Sequence, residues 1–208
     1  MTEFLQKLLN GQKVEWKKLG EVCEYVKGLT YSRADESANQ DGYKVLRANN
    51  ITLSGNIINF NDIKYVNFNT KVKDSQKLYK DDILISAASG SREHVGKVAF
   101  IYDDIDYYFG GFMGVVRCHK EIMPRFVFHV LTGSIFQEYL NEMLNSSTIN
   151  NINSSMMHDF QLPLPPLHIQ KEIVEILDTL TTHTAELTAR KKQYEYYREK
   201  LLTFGAKS

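Results

Sequence analysis

The run Leu162-Pro-Leu-Pro-Pro-Leu167 is followed by a polar–apolar repeat that contains neither Pro nor Gly up to Phe204. Apolar or aromatic residues recur there every seven positions at Ile173, Leu180, Leu187, Tyr194 and Leu201. A second row holds Ile169, Ile176, Tyr197 and Phe204 and is broken by His183 and Arg190. Seven-residue spacing places both rows on one stripe of a helix. About 38 residues at about 1.5 Å each make a rod of about 57 Å. A stripe that long predicts a partner helix, because a small domain cannot cover it.

The Pro-rich run itself predicts a joint between a domain and this helix. We therefore divide the chain into a domain over residues 1–161 and a joint with its long helix over residues 162–208. Pro163-x-x-Pro166 formally matches an SH3 ligand, but such ligands normally lie in exposed, disordered tracts. Pro166 suits the first turn of a helix, and Pro163 keeps the residue before it extended. The structural joint is the favoured interpretation.

Composition limits the class of protein. A hydrophobic content of 43% in 208 residues is enough for a packed core, and it argues against disorder. The formal net charge is zero, so DNA binding would need a local basic patch or a partner. Cys23 and Cys118 form no CxxC pair and are expected to be small buried hydrophobes in a reducing compartment. The sequence lacks an apolar run of membrane-spanning length, and we expect a cytoplasmic protein.

Residues 1–161 have the pattern of a mixed α+β domain. Apolar residues at helical spacing predict helices near residues 4–9 and 19–26, and Pro124 suits the start of a helix to about Leu144. Between them lie short β-rich runs separated by polar, Gly- or Asp-containing breaks. These predicted strands are residues 43–47, 56–60, 63–67, 83–87, 97–102 and 113–118. They predict a compact, curved sheet with flanking helices, followed by the long coiled-coil helix.

Motifs of nucleotide- and metal-dependent enzymes are incomplete in this chain. Residues 90–97 resemble a phosphate loop, but five residues separate the glycines instead of four, and no Ser or Thr follows Lys97. The Pro165-Pro166 pair does not fit the Asn/Asp-Pro-Pro-aromatic loop of a DNA adenine methyltransferase. The Gly-rich run 109–114 is attributed to a tightly packed sheet turn. The six histidines show no metal-binding spacing. The residues alone therefore indicate no nucleotide, methyltransferase or metal site in this chain.

Polar, amide-rich and basic loops around the predicted strands suit DNA contact. Arginine pairs with guanine and asparagine with adenine through two hydrogen bonds, while Ser, Lys and backbone amides suit phosphates. The candidate DNA-binding residues are Thr30, Tyr31, Ser32, Arg33, Arg47, Asn49, Asn50, Ser89, Ser91, Arg92, His94 and Lys97. Such loops are also common at ordinary protein surfaces, so each residue is a hypothesis.

Several segments occur in an order that resembles a known family. They are Trp16-Lys-Lys-Leu-Gly-Glu-Val22, Asp82-Ile-Leu-Ile-Ser86, Ser89-Gly90, Gly96-Lys-Val98, Ile149-Asn-Asn-Ile-Asn153, the Pro-rich run with Gln170, Ile173-Val174 and Leu177-Asp178, and Tyr196-Tyr-Arg-Glu-Lys-Leu-Leu-Thr-Phe204. Together they are similar to the specificity (S) subunit of type I restriction–modification enzymes. The joint running into the Ile-Val/Leu-Asp helix is the most specific part of this resemblance.

The resemblance implies a non-catalytic subunit that recognises double-stranded DNA. Family members usually carry two target-recognition domains, each followed by a long helix, and the two helices pair antiparallel to set the distance between two half-sites. This chain has one of each and resembles a half-subunit or the first half of a full one. The unpaired stripe of its helix motivates the hypothesis of an antiparallel homodimer. The dimerisation residues are Ile169, Ile173, Ile176, Leu180, Leu187, Tyr194, Tyr197 and Leu201. The implied partners are a modification subunit that binds S-adenosylmethionine and methylates adenine, and a restriction subunit; no membrane is implied.

Two other classes of function remain open at this point. A coiled-coil adaptor whose β-rich domain binds a protein predicts no sequence-selective effect on DNA. A nuclease that uses the aspartates of residues 103–106 predicts metal-dependent cleavage by the purified chain. The residues alone support a compact α+β domain on a dimerising helix, and the resemblance favours DNA recognition.

Overall fold

The computed structural model describes residues 3–52, 55–90, 92–145 and 151–202, without the side chains of Phe4, Leu5 and Arg92. Its helices and strands are α1 (Glu3–Leu9), β1 (Glu15–Lys18), α2 (Leu19–Val22), β2 (Cys23–Lys27), β3 (Tyr43–Leu46), β4 (Lys64–Val66), β5 (Ile83–Ser86), β6 (Val98–Phe100), β7 (Tyr108–Phe109), β8 (Met113–Cys118), α3 (Pro124–Thr132), α4 (Ser134–Asn145), α5 (Ser154–Asp159), β9 (Gln161–Leu164) and α6 (Leu167–Leu202). The predicted α+β class is confirmed. None of the helices in these ranges is both long and apolar enough to cross a membrane.

The strands are divided over small open sheets. A four-stranded antiparallel sheet has the order β2-β8-β5-β6, and a three-stranded sheet has the order β4-β3-β7. In the second sheet, β3 pairs antiparallel with β4 and parallel with β7. The short segment between β7 and β8 joins the two sheets, so the loops at this edge lie near one another.

The centre of the four-stranded sheet is apolar on both faces, and β5 shows the reason. Ile83 and Ile85 join a cluster that contains Phe126 of α3 and other residues of the helices. Leu84, which points to the opposite face, packs with Leu46 of the second sheet. Because both faces are covered, all four residues of β5 are buried. Each Å² of apolar surface removed from water contributes about 25 cal/mol to folding.

Three predicted elements are wrong in detail. The helix predicted over residues 19–26 ends at Val22, because Cys23–Lys27 pairs along its whole length with β8. Residues 56–60 form a loop in which Ile58 makes an isolated bridge to Ile51. The helix predicted from Pro124 to Leu144 is interrupted at Gly133, which has an extended conformation between α3 and α4. Glycine is a poor helix former, and ladder pairing outweighs a local helical pattern.

The two cysteines face each other across the sheet. Cys23 of β2 and Cys118 of β8 are register partners, and both are free thiols with Sγ atoms 3.4 Å apart. Cys23 is buried as expected, whereas Cys118 is half-buried at the end of β8.

Strand β9 connects the domain to the long helix. It pairs antiparallel with β1, so that Pro163 lies opposite Trp16 and Leu162 opposite Lys17. Proline cannot donate a ladder hydrogen bond and is confined to such edge positions. The division of the chain near Leu162 stays a prediction.

The start of α6 is fixed to the domain by one buried amide. Gln170 is fully buried, and its side-chain Nε2 donates to the carbonyl oxygens of Pro165 at 2.8 Å and Glu121 at 3.4 Å. Its Oε1 accepts a hydrogen bond from the backbone N–H of Met123, at 2.8 Å. Met123 directly precedes α3 and Pro165 lies between β9 and α6. The amide of Gln170 therefore ties together the starting points of both helices.

A second contact lies two turns further along α6. Asp178 accepts hydrogen bonds from Arg125 Nη2 at 2.7 Å and from His129 Nε2 at 2.8 Å. Burial lowers the pKa of His129. Burial opposes the charge on Asp178, but its hydrogen bonds from Arg125 and His129 lower its pKa overall. The Arg125 guanidinium also lies 4.4 Å from the ring centroid of Phe128, a contact within α3. Helix α3 therefore holds α6 through its hydrogen bonds to Asp178.

Beyond this contact, α6 leaves the domain. Its described residues from Thr179 to Leu202 are all exposed, including Leu180, Leu187, Tyr194 and Leu201 of the seven-residue row. At its beginning, by contrast, Ile169 is buried and Ile173 packs against the domain core. Two of the predicted dimerisation residues thus contact their own domain, and the exposed stripe starts at about Ile176.

We expect Gln170→Ala to lower the free energy of unfolding by about 2–4 kcal/mol, because it strips the Met123 N–H and the Pro165 carbonyl of buried partners. Urea unfolding followed by far-UV circular dichroism measures this. The matched control is Gln193→Ala, since Gln193 is exposed on the same helix and its loss should cost less than about 0.5 kcal/mol. Equal costs for the two variants would contradict the anchoring role of Gln170.

Candidate nucleic-acid interface

The sheet topology brings three separate loops to one edge. Strands β2 and β5 both pair antiparallel with β8, so their carboxyl ends lie beside its first residues. Lys27 of β2 is opposite Gly114, and Ser86 of β5 is opposite Met113. The end of β3 lies beside β7, which leads through a short turn into β8. Residues that follow β2, β3 and β5 therefore meet around the β7–β8 turn.

These loops enclose a cleft of about 660 Å³, which we call the loop cleft. Seven predicted DNA-binding residues line it, although they come from three distant parts of the sequence: Thr30, Tyr31, Ser32, Arg33, Arg47, Asn49 and Ser89. The remaining lining consists mainly of small residues and the β7–β8 turn. Hydroxyl, amide and guanidinium groups thus converge on one concave surface, which is the chemistry that base edges and phosphates require.

A close backbone approach forms the floor of the loop cleft. Gly28 N–H donates to the carbonyl of Met113 at 3.1 Å, and Leu29 N–H donates to the carbonyl of Phe109 at 2.7 Å. A Cβ atom added at Gly28 would lie 2.0 Å from the carbonyl oxygen of Gly110, so only glycine fits there. The interpretation of the 109–114 glycines as a tightly packed turn agrees with this geometry.

The first loop is ordered by short polar contacts. Ser32 donates to Asp35 Oδ2 through both its backbone N–H and its hydroxyl, each at 2.7 Å. These two hydrogen bonds lower the pKa of Asp35, with the backbone contact as the larger cause. Burial raises the pKa of the half-buried Tyr31, so its hydroxyl keeps its proton as a hydrogen-bond donor at neutral pH. Arg33 is exposed at the rim.

The second loop places two predicted residues on one carboxylate. Arg47 Nη2 and Asn49 Nδ2 both donate to Asp62 Oδ2, each at 2.7 Å. Arg47 and Asn49 line the loop cleft, whereas Asp62 is not among its lining residues. The Asp62 side chain is 67% exposed and holds both side chains from beside the cleft.

Asn50 lies beneath the cleft and not in it. Its side chain is 1% exposed, and its Oδ1 accepts from the Arg47 backbone N–H at 2.8 Å. Its Nδ2 donates to the carbonyls of Asn59 at 2.8 Å and Asp62 at 3.1 Å. In this structure Asn50 joins two loops, and its buried amide has no surface from which to reach a base.

The predicted DNA-binding residues between positions 89 and 97 lie partly in the cleft and partly outside it. Ser89 lines the cleft, but His94 and Lys97 do not; the Lys97 ammonium instead lies 3.1 Å from His94 Nδ1. Partial burial lowers the pKa of Lys97. Ser91 lies outside the described residues, and for Arg92 the structure describes only a backbone in a 3-10 helix.

Two features of the cleft were missed from the sequence. Phe112 lines the cleft and is 73% exposed, which suits stacking against a base. Its signal was an aromatic residue directly after two glycines in a turn. Glu36 also lines the cleft and pairs with Lys64 at 2.6 Å; a carboxylate there can accept a hydrogen bond from cytosine.

Two of the turn aspartates, Asp104 and Asp106, have local partners away from this cleft. Asp104 accepts from the backbone N–H of Lys80 at 2.9 Å, and Asp106 pairs with Lys77 at 3.0 Å. Among the residues that the structure describes, no group of three or more His, Cys, Asp or Glu side chains has the arrangement of a metal site.

Residues 12–194 match the sequence model of the family described as type I restriction modification DNA specificity domain. The chain belongs to this family. Over 174 residues this specificity domain is 34% identical to the EcoKI specificity subunit of Escherichia coli K12, covering 83% of this chain and 37% of that protein. It is 31% identical over 214 residues to a putative specificity subunit of Haemophilus influenzae, covering 96% of this chain and 49% of that protein. The chain thus spans less than half the length of these relatives.

The fold of the specificity domain also occurs in solved structures. The HsdS subunit of Thermoanaerobacter tengcongensis superposes with a TM-score of 0.63 at 19% identity, over 90% of this chain and 44% of that one. At this identity the similarity establishes the fold alone.

The free energy of unfolding can test whether Asn50 is a buried structural residue and Asn49 an exposed residue of the cleft. We expect Asn50→Ala to lower the free energy of unfolding by about 2–4 kcal/mol, because the Arg47 N–H and two carbonyls lose a buried partner. Asn49→Ala removes an exposed hydrogen bond and should cost about 1 kcal/mol or less. Urea unfolding of the two variants provides the comparison, and a larger cost at Asn49 would contradict this assignment.

Proposed function

We propose that this specificity domain recognises one half of a bipartite site in double-stranded DNA. The observation that carries this proposal is the convergence of seven polar loop residues on one cleft, in a chain of the type I specificity family. Arg33 and Arg47 suit guanine, Asn49 suits adenine, and the hydroxyls of Thr30 and Ser32 suit phosphates. Loops that differ in sequence can change the recognised bases while the sheet beneath them stays the same.

The charge balance supports a requirement for partner subunits. The chain has 25 basic and 25 acidic residues, and nonspecific DNA affinity comes mainly from neutralised phosphates. The cleft supplies Arg33 and Arg47, but Glu36 also lines it. We infer that this chain selects the sequence, and that a modification subunit with S-adenosylmethionine encloses the duplex and methylates adenine. A restriction subunit would complete the assembly, and the specificity chain itself would perform no catalysis.

The exposed stripe of α6 supports antiparallel pairing with a second copy. Leu180, Leu187, Tyr194 and Leu201 are each between 56% and 68% exposed, an arrangement that costs hydration free energy unless another helix covers it. A pair centred at Leu187 would place Leu180 near Tyr194 of the second copy, apolar against apolar. His183 of one helix would lie near Arg190 of the other. This polar pair would specify the register of the two helices at some cost in stability.

The length of α6 fits a split recognition site. Its 36 residues make a rod of about 54 Å, and a two-fold axis near Leu187 would place one recognition domain towards each end. One turn of DNA is about 34 Å. Two inverted half-sites separated by about one turn therefore lie within the reach of such a dimer.

A genome-wide map of adenine methylation tests this function. The chain would be expressed with its neighbouring modification subunit in a host that lacks DNA methylation. We expect one methylated motif with two inverted half-sites and a spacer of fixed length. If the two subunits associate but no site is methylated, the chain is an adaptor or needs a different second half, and the symmetric proposal is wrong.

The exposed stripe generates a separate prediction. Leu180→Asp together with Leu187→Asp should convert the dimer into a monomer, and so halve the mass of the particle in solution at tens of micromolar. Charge on the stripe prevents burial of the paired helices. Sedimentation measures the mass, and circular dichroism checks that the domain remains folded. The matched control is Ala185→Asp with Ala189→Asp, which adds the same charges to another exposed face of α6 and should leave the dimer intact. A wild-type chain that is monomeric under these conditions, alone and with its modification subunit, would exclude the dimer.

A further inference from the structure

We propose that Asp62 is a positioning residue that directs Arg47 and Asn49 to base edges and keeps Arg47 from binding phosphate. The inference rests on the proposed function and adds a determinant of specificity that does not itself line the cleft. Asp62 was not among the residues selected from the sequence.

The geometry of the contact is unusual because two cleft residues share one acceptor atom. Arg47 Nη2 and Asn49 Nδ2 each lie 2.7 Å from Asp62 Oδ2, and Arg47 Nη2 also lies 3.4 Å from the Asp62 carbonyl oxygen. Hydrogen bonds to an ionised carboxylate are shorter and stronger than those between neutral groups. The guanidinium and the amide are therefore held in one relative arrangement before DNA arrives.

Asp62 can hold them because its own backbone is held from the buried side. The amide of Asn50 donates to the Asp62 carbonyl at 3.1 Å and to the Asn59 carbonyl at 2.8 Å. Near the same loop, the ring of Phe60 packs 5.0 Å from that of Tyr107. The carboxylate is thus presented by a segment that is anchored through a buried hydrogen bond and an aromatic contact.

The remaining hydrogen-bonding groups match base edges. A primary amide has two N–H donors and one acceptor oxygen, so Asn49 keeps one donor and its Oδ1 after binding Asp62. Adenine requires one donor and one acceptor from asparagine in the major groove. A guanidinium has five N–H donors. Asp62 engages Nη2 of Arg47, and Nε is buried, so the donors left for a base lie on Nη1 and Nη2.

The charge of Asp62 decides between base and phosphate. A phosphate that binds Arg47 would approach a carboxylate that is 2.7 Å from the guanidinium, and like charges at such separations repel. The uncharged edge of a base meets no such repulsion. Removal of the carboxylate should therefore release Arg47 to the phosphate backbone, which carries no sequence information.

The test compares Asp62→Asn with the wild-type chain, each assembled with the modification subunit. Binding is measured to DNA that contains the mapped motif and to DNA that lacks it, over a range of salt concentrations. For Asp62→Asn we expect about threefold to tenfold tighter binding to DNA that lacks the motif. The magnitude of the slope of log K against log salt should rise by about 0.9 for each added phosphate contact. The preference for the motif should fall at least tenfold, and the methylated motif should become degenerate.

Two further variants separate this effect from a general change in charge. Asp103→Asn makes the same charge change in a different groove and should leave the methylated motif unchanged. In the Arg47→Ala, Asp62→Asn double variant the gain in binding to DNA without the motif should disappear, because Arg47 is the group that moves to phosphate. A gain that persists without Arg47 would overturn the proposal.

A purely structural role for Asp62 predicts the opposite pattern. Binding to both DNAs would then weaken together, with an unchanged methylated motif, and that result would also overturn the proposal. If Asp62→Asn does not fold, Asp62→Glu retains the charge but displaces the carboxylate, and it should make the motif degenerate without changing the salt slope. An unchanged motif in Asp62→Glu would contradict the proposal. Failure of the wild-type assembly to prefer any sequence would instead contradict the proposed function itself.

Discussion

The buried amide of Gln170 is the contact on which the arrangement of this molecule depends. It joins Met123, the residue before α3, to Pro165, one of the two residues between β9 and α6. The Arg125–Asp178 ion pair connects the same two helices two turns further along α6. An unsatisfied buried amide is costly, so α6 has one favoured direction relative to the domain. A long helix can hold a domain at a fixed distance from a second one only if its first turns cannot rotate relative to that domain. The contacts of Gln170 and Asp178 restrict this rotation.

Strand β8 connects the contact between α3 and α6 to the loop cleft. Its first residue, Met113, lines the cleft, and the strand runs to Cys118, shortly before Met123 meets Gln170. Because β8 pairs with β2 on one side and β5 on the other, two of the loops that form the cleft are fixed to the same strand. The position of the cleft relative to the helix is therefore set by a continuous, hydrogen-bonded path through the sheet.

The sequence predicted the parts of the fold that depend on local pattern. The long helix follows from its seven-residue repeat, and β5 and β8 follow from compact apolar runs between polar breaks. Residues 23–27 were misassigned because pairing with β8 is a long-range effect that local periodicity does not contain. For the cleft, chemistry alone selected Arg47 and Asn49. It could not separate Asn49 from the buried Asn50, nor find Asp62, because those roles arise from two loops that meet only in the folded chain.

If α6 sets the separation between two DNA half-sites, as we propose, then inserting one heptad into the helix should change the spacer of the recognised motif. Seven residues added between Thr184 and Ala185 keep the stripe on one face and lengthen the rod by about 10.5 Å. At about 3.4 Å for each base pair, the methylated motif should keep both half-sites while its spacer grows by about three base pairs. An unchanged spacer, with methylation retained, would show that the length of α6 does not set the separation of the half-sites.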